Sequence, residues 1–160
     1  MKPLKQQCPM VWIYFSWALY LAGLAFFSLQ RDYVAALTWL VALPLGLGAY
    51  VRVFPAISRY LGYGRIDDQP ASMVNRTPAK VTLYTALGCP FCPVVKRRLL
   101  DLQAEMGFDL DVVDVTLKPD LLFAKGIRAV PVVEVGVEQL VGHATSQQLS
   151  DLIRSQAAAA

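Results

Sequence analysis

Two cysteines three positions apart, in the run Gly88-Cys89-Pro90-Phe91-Cys92, are the residues of this chain best suited to chemistry. A C-x-x-C serves either as a reversible disulfide or as part of a metal site. Between a strand and a helix it favours redox work. The free N–H groups and dipole at a helix opening stabilise an anion there, which lowers a thiol's pKa and populates the thiolate, the attacking species. On this reading Cys89 stands at the helix N-terminus and Cys92 lies one turn further in as the resolving thiol. Pro90 fits the first turn, where no N–H is needed, and Pro93 is early enough to be tolerated. The expected cycle has Cys89 attack a disulfide to form a mixed disulfide, which Cys92 resolves, closing an intramolecular bond that an external reductant must reopen. The competing reading is a zinc or iron–sulfur module, for which one C-x-x-C supplies two of about four ligands.

Pro131, opening a later strand, is the second informative residue. In this topology it would sit beside the C-x-x-C, and a cis bond there would free the Val130 backbone to pair with an incoming chain in β fashion. His143, the single histidine, reads as a loop residue near that groove rather than a metal ligand, so no resident metal is expected. Cys8 reads as an idle juxtamembrane thiol, with electron relay or palmitoylation as the alternatives. Lys96, Arg97 and Arg98 read as a solvated helix face. Asp109, Asp111 and Asp114 read as solvent-facing or strand-end residues.

The elements that must position these residues follow from apolar spacing. Residues 80–86 alternate as a strand. Phe91, Val94, Val95, Leu99, Leu102 and Met106 recur at helical spacing, and Gly107 stops that helix. Residues 108–115 alternate again. Pro119 opens a short helix to Lys125, ended by Gly126. Residues 130–135 and 137–141 form two strands turned by Gly136, and Thr145 or Ser146 caps a last helix through Leu149, Leu152 and Ile153. The order is β-α-β-α-β-β-α. The first two strands need a right-handed parallel crossover, and the last two are joined tightly enough to be an antiparallel hairpin. A four-stranded mixed α/β sheet flanked by helices is the economical packing.

The N-terminal part is a different material. Apolar residues make up 56% of the chain and charged residues 17%, too greasy for an ordinary soluble domain, and the excess sits in the first 54 residues. Residues 10–29 and 33–51 carry no charge, and each has about the ~20 residues needed to cross a ~30 Å hydrocarbon core. Gln30-Arg31-Asp32 between them is so short that the pair must be an antiparallel hairpin. Lys2 and Lys5 before the first span, and Arg52, Arg59, Arg65, Arg76 and Lys80 after the second, predict both termini and the redox domain on the cytoplasmic side. A cleaved signal peptide is disfavoured by the immediate second span. The expected organisation is a transmembrane hairpin over 1–54, a juxtamembrane linker over 55–79 and a redox domain over 80–156. The lipid bilayer is therefore an expected partner. Nucleic acid is not, since a net charge of +3 carries no basic stripe interleaved with aromatics. Three cysteines are too few for a secreted disulfide scaffold.

Leu87-Gly88-Cys89-Pro90-Phe91-Cys92, then Ala129-Val130-Pro131, then Val141-Gly142-His143 before a final helix, resembles the glutaredoxin and thioredoxin-like family over residues 80–156. The C-P-F-C centre is similar to the C-P-Y-C of dithiol glutaredoxins. The resemblance implies a thioredoxin-like fold, Cys89 as nucleophile, Cys92 as resolving cysteine and Pro131 in cis. Pro90, Phe91, Val130, Pro131, Gly142 and His143 are the expected substrate-binding residues. It also implies disulfide-containing protein or small-thiol substrates. No cofactor is expected to be bound. Glutaredoxins usually carry a lysine three residues before the first cysteine and a Gly-Gly and acidic pair before the last helix. This chain has Ala86 and Gly142-His143-Ala144-Thr145-Ser146. The usual glutathione-holding residues are thus missing, leaving glutathione and a thioredoxin-reductase-type donor both open. If the topology were reversed, the same centre would be an extracytoplasmic oxidase or isomerase.

Overall fold

The computed structural model describes residues 2–3, 7–57 and 79–157. The linker expected over 55–79 therefore lies mostly outside the described residues. The first elements are β1 (Lys2–Pro3), β2 (Cys8–Pro9), α1 (Met10–Leu29) and α2 (Tyr33–Ile57). They are followed by β3 (Lys80–Thr85), α3 (Cys92–Met106), β4 (Asp109–Asp114), α4 (Pro119–Lys125), β5 (Ala129–Val130), β6 (Val132–Val135), β7 (Glu138–Val141) and α5 (Ser146–Ala157).

From β3 onward the element order is the expected one, with one strand divided. β3 pairs parallel with β4 and antiparallel with β6, and β6 pairs antiparallel with β7. Two corrections apply. The strand expected over 130–135 is broken at Pro131, because proline has no N–H to give to a ladder. Val130, with Ala129 before it, leaves the main sheet as β5. The sheet is also not four-stranded: β1 joins the free edge of β7 in parallel, giving the five-stranded order β1-β7-β6-β3-β4.

Alternation along the strands builds two apolar layers. Val81, Leu83, Val133, Val135 and Leu140 face α3 and α5, where Val95, Leu99, Leu102, Met106, Leu149 and Ile153 close the layer. Tyr84, Val132 and Val141 face the other way, toward Val115, Leu122 and Ile127. That second layer also takes in Met10 and Ile13 from α1 and Phe54 from α2. Both helices therefore present one end of their hairpin to the sheet. Local signals end the elements: Gly107 and Gly126 stop α3 and α4 in the left-handed region. At α5, Thr145 Oγ1 accepts from the Gln148 backbone N–H (3.2 Å) and Gln148 Oε1 accepts from the Thr145 N–H (3.0 Å), a reciprocal capping box.

The hairpin packs through Gly23, where an added Cβ would lie 2.6 Å from the Trp39 ring. Trp39 Nε1 donates to the Tyr20 carbonyl at 3.2 Å, and the Tyr20 hydroxyl donates to the Leu40 carbonyl at 3.3 Å. By length and composition, Met10–Leu29 and Tyr33–Phe54 are long and apolar enough to cross a membrane. The second helix runs to Ile57, beyond the expected end at residue 51.

Candidate active site

The turn between β3 and α3 carries both cysteines of the pair. Gly88 holds φ +91°, and a Cβ there would lie 3.6 Å from a methyl of Leu47 on α2. The backbone conformation thus favours glycine, while the space beside Leu47 would admit a Cβ. The Cys89 N–H donates to the Ala86 carbonyl at 3.3 Å, and the Leu87 N–H is held by Thr116 Oγ1 at 2.8 Å. The helix itself starts later than expected. Phe91 is the N-cap, Cys92 is the first residue of α3, and Pro93, not Pro90, occupies the first turn. Cys89 therefore stands outside the helix, in the turn before it.

Opposite the pair lie Val130 and Pro131, joined by a cis peptide. The Gly142 N–H donates to the Pro131 carbonyl at 2.8 Å, which ties the loop before α5 to this strand. The next residue, His143, has its ring 5.8 Å from Phe91. Arg98 Nη1 donates to the Ala144 carbonyl at 2.7 Å and lies 2.7 Å from His143 Nε2. An arginine only donates, so Nε2 is the acceptor. The structure thus brings Cys89, Cys92, Phe91, Val130, Pro131, Gly142 and His143 into one region, with Pro90 buried in the turn itself. It departs from the expected solvated face at Arg98, which is only 3% exposed. Lys96 and Arg97 do face solvent.

The groove is occupied by the chain's own N-terminal segment. β2 pairs antiparallel with β5 in the register Cys8↔Val130 and Pro9↔Ala129. The Met10 N–H extends the ladder to the Arg128 carbonyl at 3.0 Å. This pairing brings Cys8 Sγ to 3.2 Å from Cys89 Sγ, while the Cys89 thiol also faces the Val130 carbonyl at 3.9 Å. Cys8 thus lies against Cys89 in the groove, a placement its position beside the first span did not suggest. Phe54 stacks edge-on against Phe91 with centroids 5.0 Å apart, and the Tyr14 hydroxyl donates to the Thr116 carbonyl at 3.2 Å. Under this cover Cys89 is 2% exposed and Cys92 4%, and all three cysteines are free thiols.

That cover reverses the expected electrostatics. The hydrogen bond with Cys8 is the largest influence on Cys89 and favours its thiolate. The hydrogen bond with Cys92, burial and the nearby Cys92 charge together outweigh it, so the Cys89 thiol is pushed up to about 12. Cys8 is also driven well above the usual thiol range, first by its hydrogen bond to Cys89 and then by burial. The backbone N–H of Cys92, at the opening of α3, does favour the Cys89 thiolate, but it is outweighed by the Cys92 thiol and by desolvation, which penalises the charge. Among the described residues no group of three or more His, Cys, Asp or Glu is placed to hold a metal ion, so the metal-module reading is left without support.

Sequence reasoning missed Cys8 as part of this site, along with Met10, Ile13, Phe54 and Arg98. Arg98 did carry a signal, since it sits three residues after Val95 and four before Leu102, on the buried stripe of α3. Phe54 and Cys8 carried none, because their contacts here join distant parts of the chain.

Comparison with known proteins agrees with this geometry. Residues 80–154 match the family model described as Glutaredoxin-like domain (DUF836). A stretch of 78 residues is 30% identical to a thioredoxin of Methanocaldococcus jannaschii, covering 47% of this chain and 92% of that protein. Among solved structures, a point-mutant thioredoxin from Halobacterium salinarum NRC-1 is 24% identical, over 51% of this chain and 76% of that one, with a TM-score of 0.47. Thioredoxin-2 of a malaria parasite, described as a component of protein secretion machinery, is 17% identical over 56% and 99%, with a TM-score of 0.46. The fold class is thus a thioredoxin-like α/β fold with a mixed sheet and a C-x-x-C cysteine pair. The chain belongs to the thioredoxin family.

Proposed function

We propose that this protein is a membrane-anchored thiol–disulfide oxidoreductase that reduces protein or small-molecule disulfides through Cys89 and Cys92. The observation that carries the reading is the position of Cys89, in the turn before α3 and facing the Val130 carbonyl, within a thioredoxin-family domain. Cys89 attacks the substrate disulfide and Cys92, the first residue of α3, resolves the mixed disulfide. Phe91, Pro131, Gly142 and His143 shape the groove, and the main chain of Val130, paired here with β2, takes the substrate strand when β2 leaves it. The anchor is the hairpin over 1–54, joined by a linker over 55–79 to a domain over 80–156 that faces the cytoplasm. Glutathione or a thioredoxin-reductase-type donor restores the dithiol.

The test is dithiol-driven reduction of a disulfide-bonded protein by the purified full-length chain. Cys89→Ser is expected to fall to the rate of buffer alone, and the Cys8→Ser/Cys92→Ser double variant, left with no neighbouring thiol, to stop at a mixed disulfide on Cys89. Undiminished turnover in Cys89→Ser, or stoichiometric bound metal with no titratable thiol, would overturn the reading.

A further inference from the structure

The proposed cycle uses two cysteines, yet the structure gathers three. We propose that Cys8 is a third redox-active residue, carried into the groove as an internal substrate that exchanges a disulfide with Cys89. The inference rests on the reading of Cys89 and Cys92 as an exchanging pair.

Two observations carry it. The sulfurs of Cys8 and Cys89 are 3.2 Å apart with both thiols free. The main chain around Cys8 is also held as a substrate strand would be, antiparallel to β5 in the register Cys8↔Val130 and Pro9↔Ala129, with the Met10 N–H on the Arg128 carbonyl. Strand addition of this kind draws its affinity from main-chain hydrogen bonds and its specificity from the side chain presented. The side chain presented to the nucleophile here is a cysteine. Because the segment is tethered to α1, Cys8 competes with free substrate at a high effective concentration.

The exchange balances without an outside oxidant. Starting from the Cys89–Cys92 disulfide that the proposed cycle produces, the Cys8 thiolate attacks Cys89 Sγ. The Cys8–Cys89 bond forms as the Cys89–Cys92 bond breaks, and Cys92 leaves as a thiolate that takes up the proton Cys8 gave up. No electrons enter or leave, so two sulfurs remain oxidised and one reduced. The product holds Cys89 under the N-terminal segment, shut off from free disulfides until Cys92 or an external thiol reverses the step.

The experiment treats reduced full-length wild type, Cys92→Ser and the Cys8→Ser/Cys92→Ser double variant with oxidised glutathione in detergent. Remaining thiols are alkylated, and non-reducing digests are read by mass spectrometry. Cys92→Ser is expected to yield mainly the peptide pair linking Cys8 to Cys89, and the double variant a glutathione adduct on Cys89. Wild type should show both the Cys89–Cys92 and the Cys8–Cys89 linkages. If Cys92→Ser instead accumulates the glutathione adduct while Cys8 stays free to alkylate, the inference falls alone. If wild type never closes Cys89–Cys92 and the double variant takes up no glutathione, the proposed exchange chemistry falls with it.

Discussion

Cys89 is held by two sulfurs, from Cys8 on the groove side and Cys92 on the helix side, and its titration records which state the protein occupies. With its pKa moved from 9.0 to about 12, the docked fold favours the protonated thiol. A raised folded value contributes stability that is fully present below the ordinary value and is lost as pH rises through the folded one. The stability that this protonated thiol lends the folded site is therefore present up to about pH 9 and is lost from there toward pH 12. Alkylation of Cys89 by iodoacetamide should keep accelerating above pH 9, and a plateau reached by pH 8 would contradict the docked arrangement. Arg98 supplies a second test at this scale. Replacing it with methionine strands the buried Ala144 carbonyl, and leaving a buried polar group unsatisfied costs about 1–3 kcal/mol. A lower melting temperature in detergent checks this. The C-x-x-C and Pro131 were legible because each announces itself locally, by spacing or by a missing N–H. The role of Cys8 was not, since nothing in a two-residue strand reveals that its partner is Val130.

Individual elements obeyed their local signals wherever those signals were strong. Pro119 and Gly126 bracket α4 as their types dictate, and of the two expected caps, Thr145 and Ser146, it is Thr145 that caps α5. Failures came where tertiary contact or main-chain chemistry decided: α3 starts only at Cys92, the third strand splits at Pro131, and α2 continues to Ile57. The edge strand β4 shows a further use of sequence. Asp109, Asp111 and Asp114 are exposed along it, and charges on an edge discourage pairing with another chain's strand. Asp111→Val should raise the aggregated fraction on size-exclusion chromatography while leaving the monomer folded. In the hairpin, Gly23→Val drives a side chain into the Trp39 ring, and overpacking of this kind costs about 1–3 kcal/mol. Its signature is a loss of Trp39 fluorescence structure and thermal stability.

For the molecule as a whole, the apolar layer on one side of the sheet is shared between the redox domain and the hairpin, through Met10, Ile13 and Phe54. Composition distinguishes an apolar N-terminal part from the rest of the chain, but hydropathy carries no information on which surface a greasy helix end will meet. The proposed orientation is tested by fusing to the C-terminus a reporter active only in the cytoplasm. Full activity is expected, and silence would turn the same centre into an extracytoplasmic oxidase or isomerase.

The strand lying over the nucleophile runs without interruption into the first apolar helix, as Pro9 is followed directly by the opening residue of α1. Uncovering the sulfur thus means shifting the mouth of that helix, and in a bilayer the helix rides at a depth set by the lipid chains. The proposed anchoring would make acyl length a dial on reactivity: reconstitution in short-chain and long-chain phosphatidylcholine should then give different labelling rates at Cys89, coupling the readiness of the sulfur to bilayer thickness.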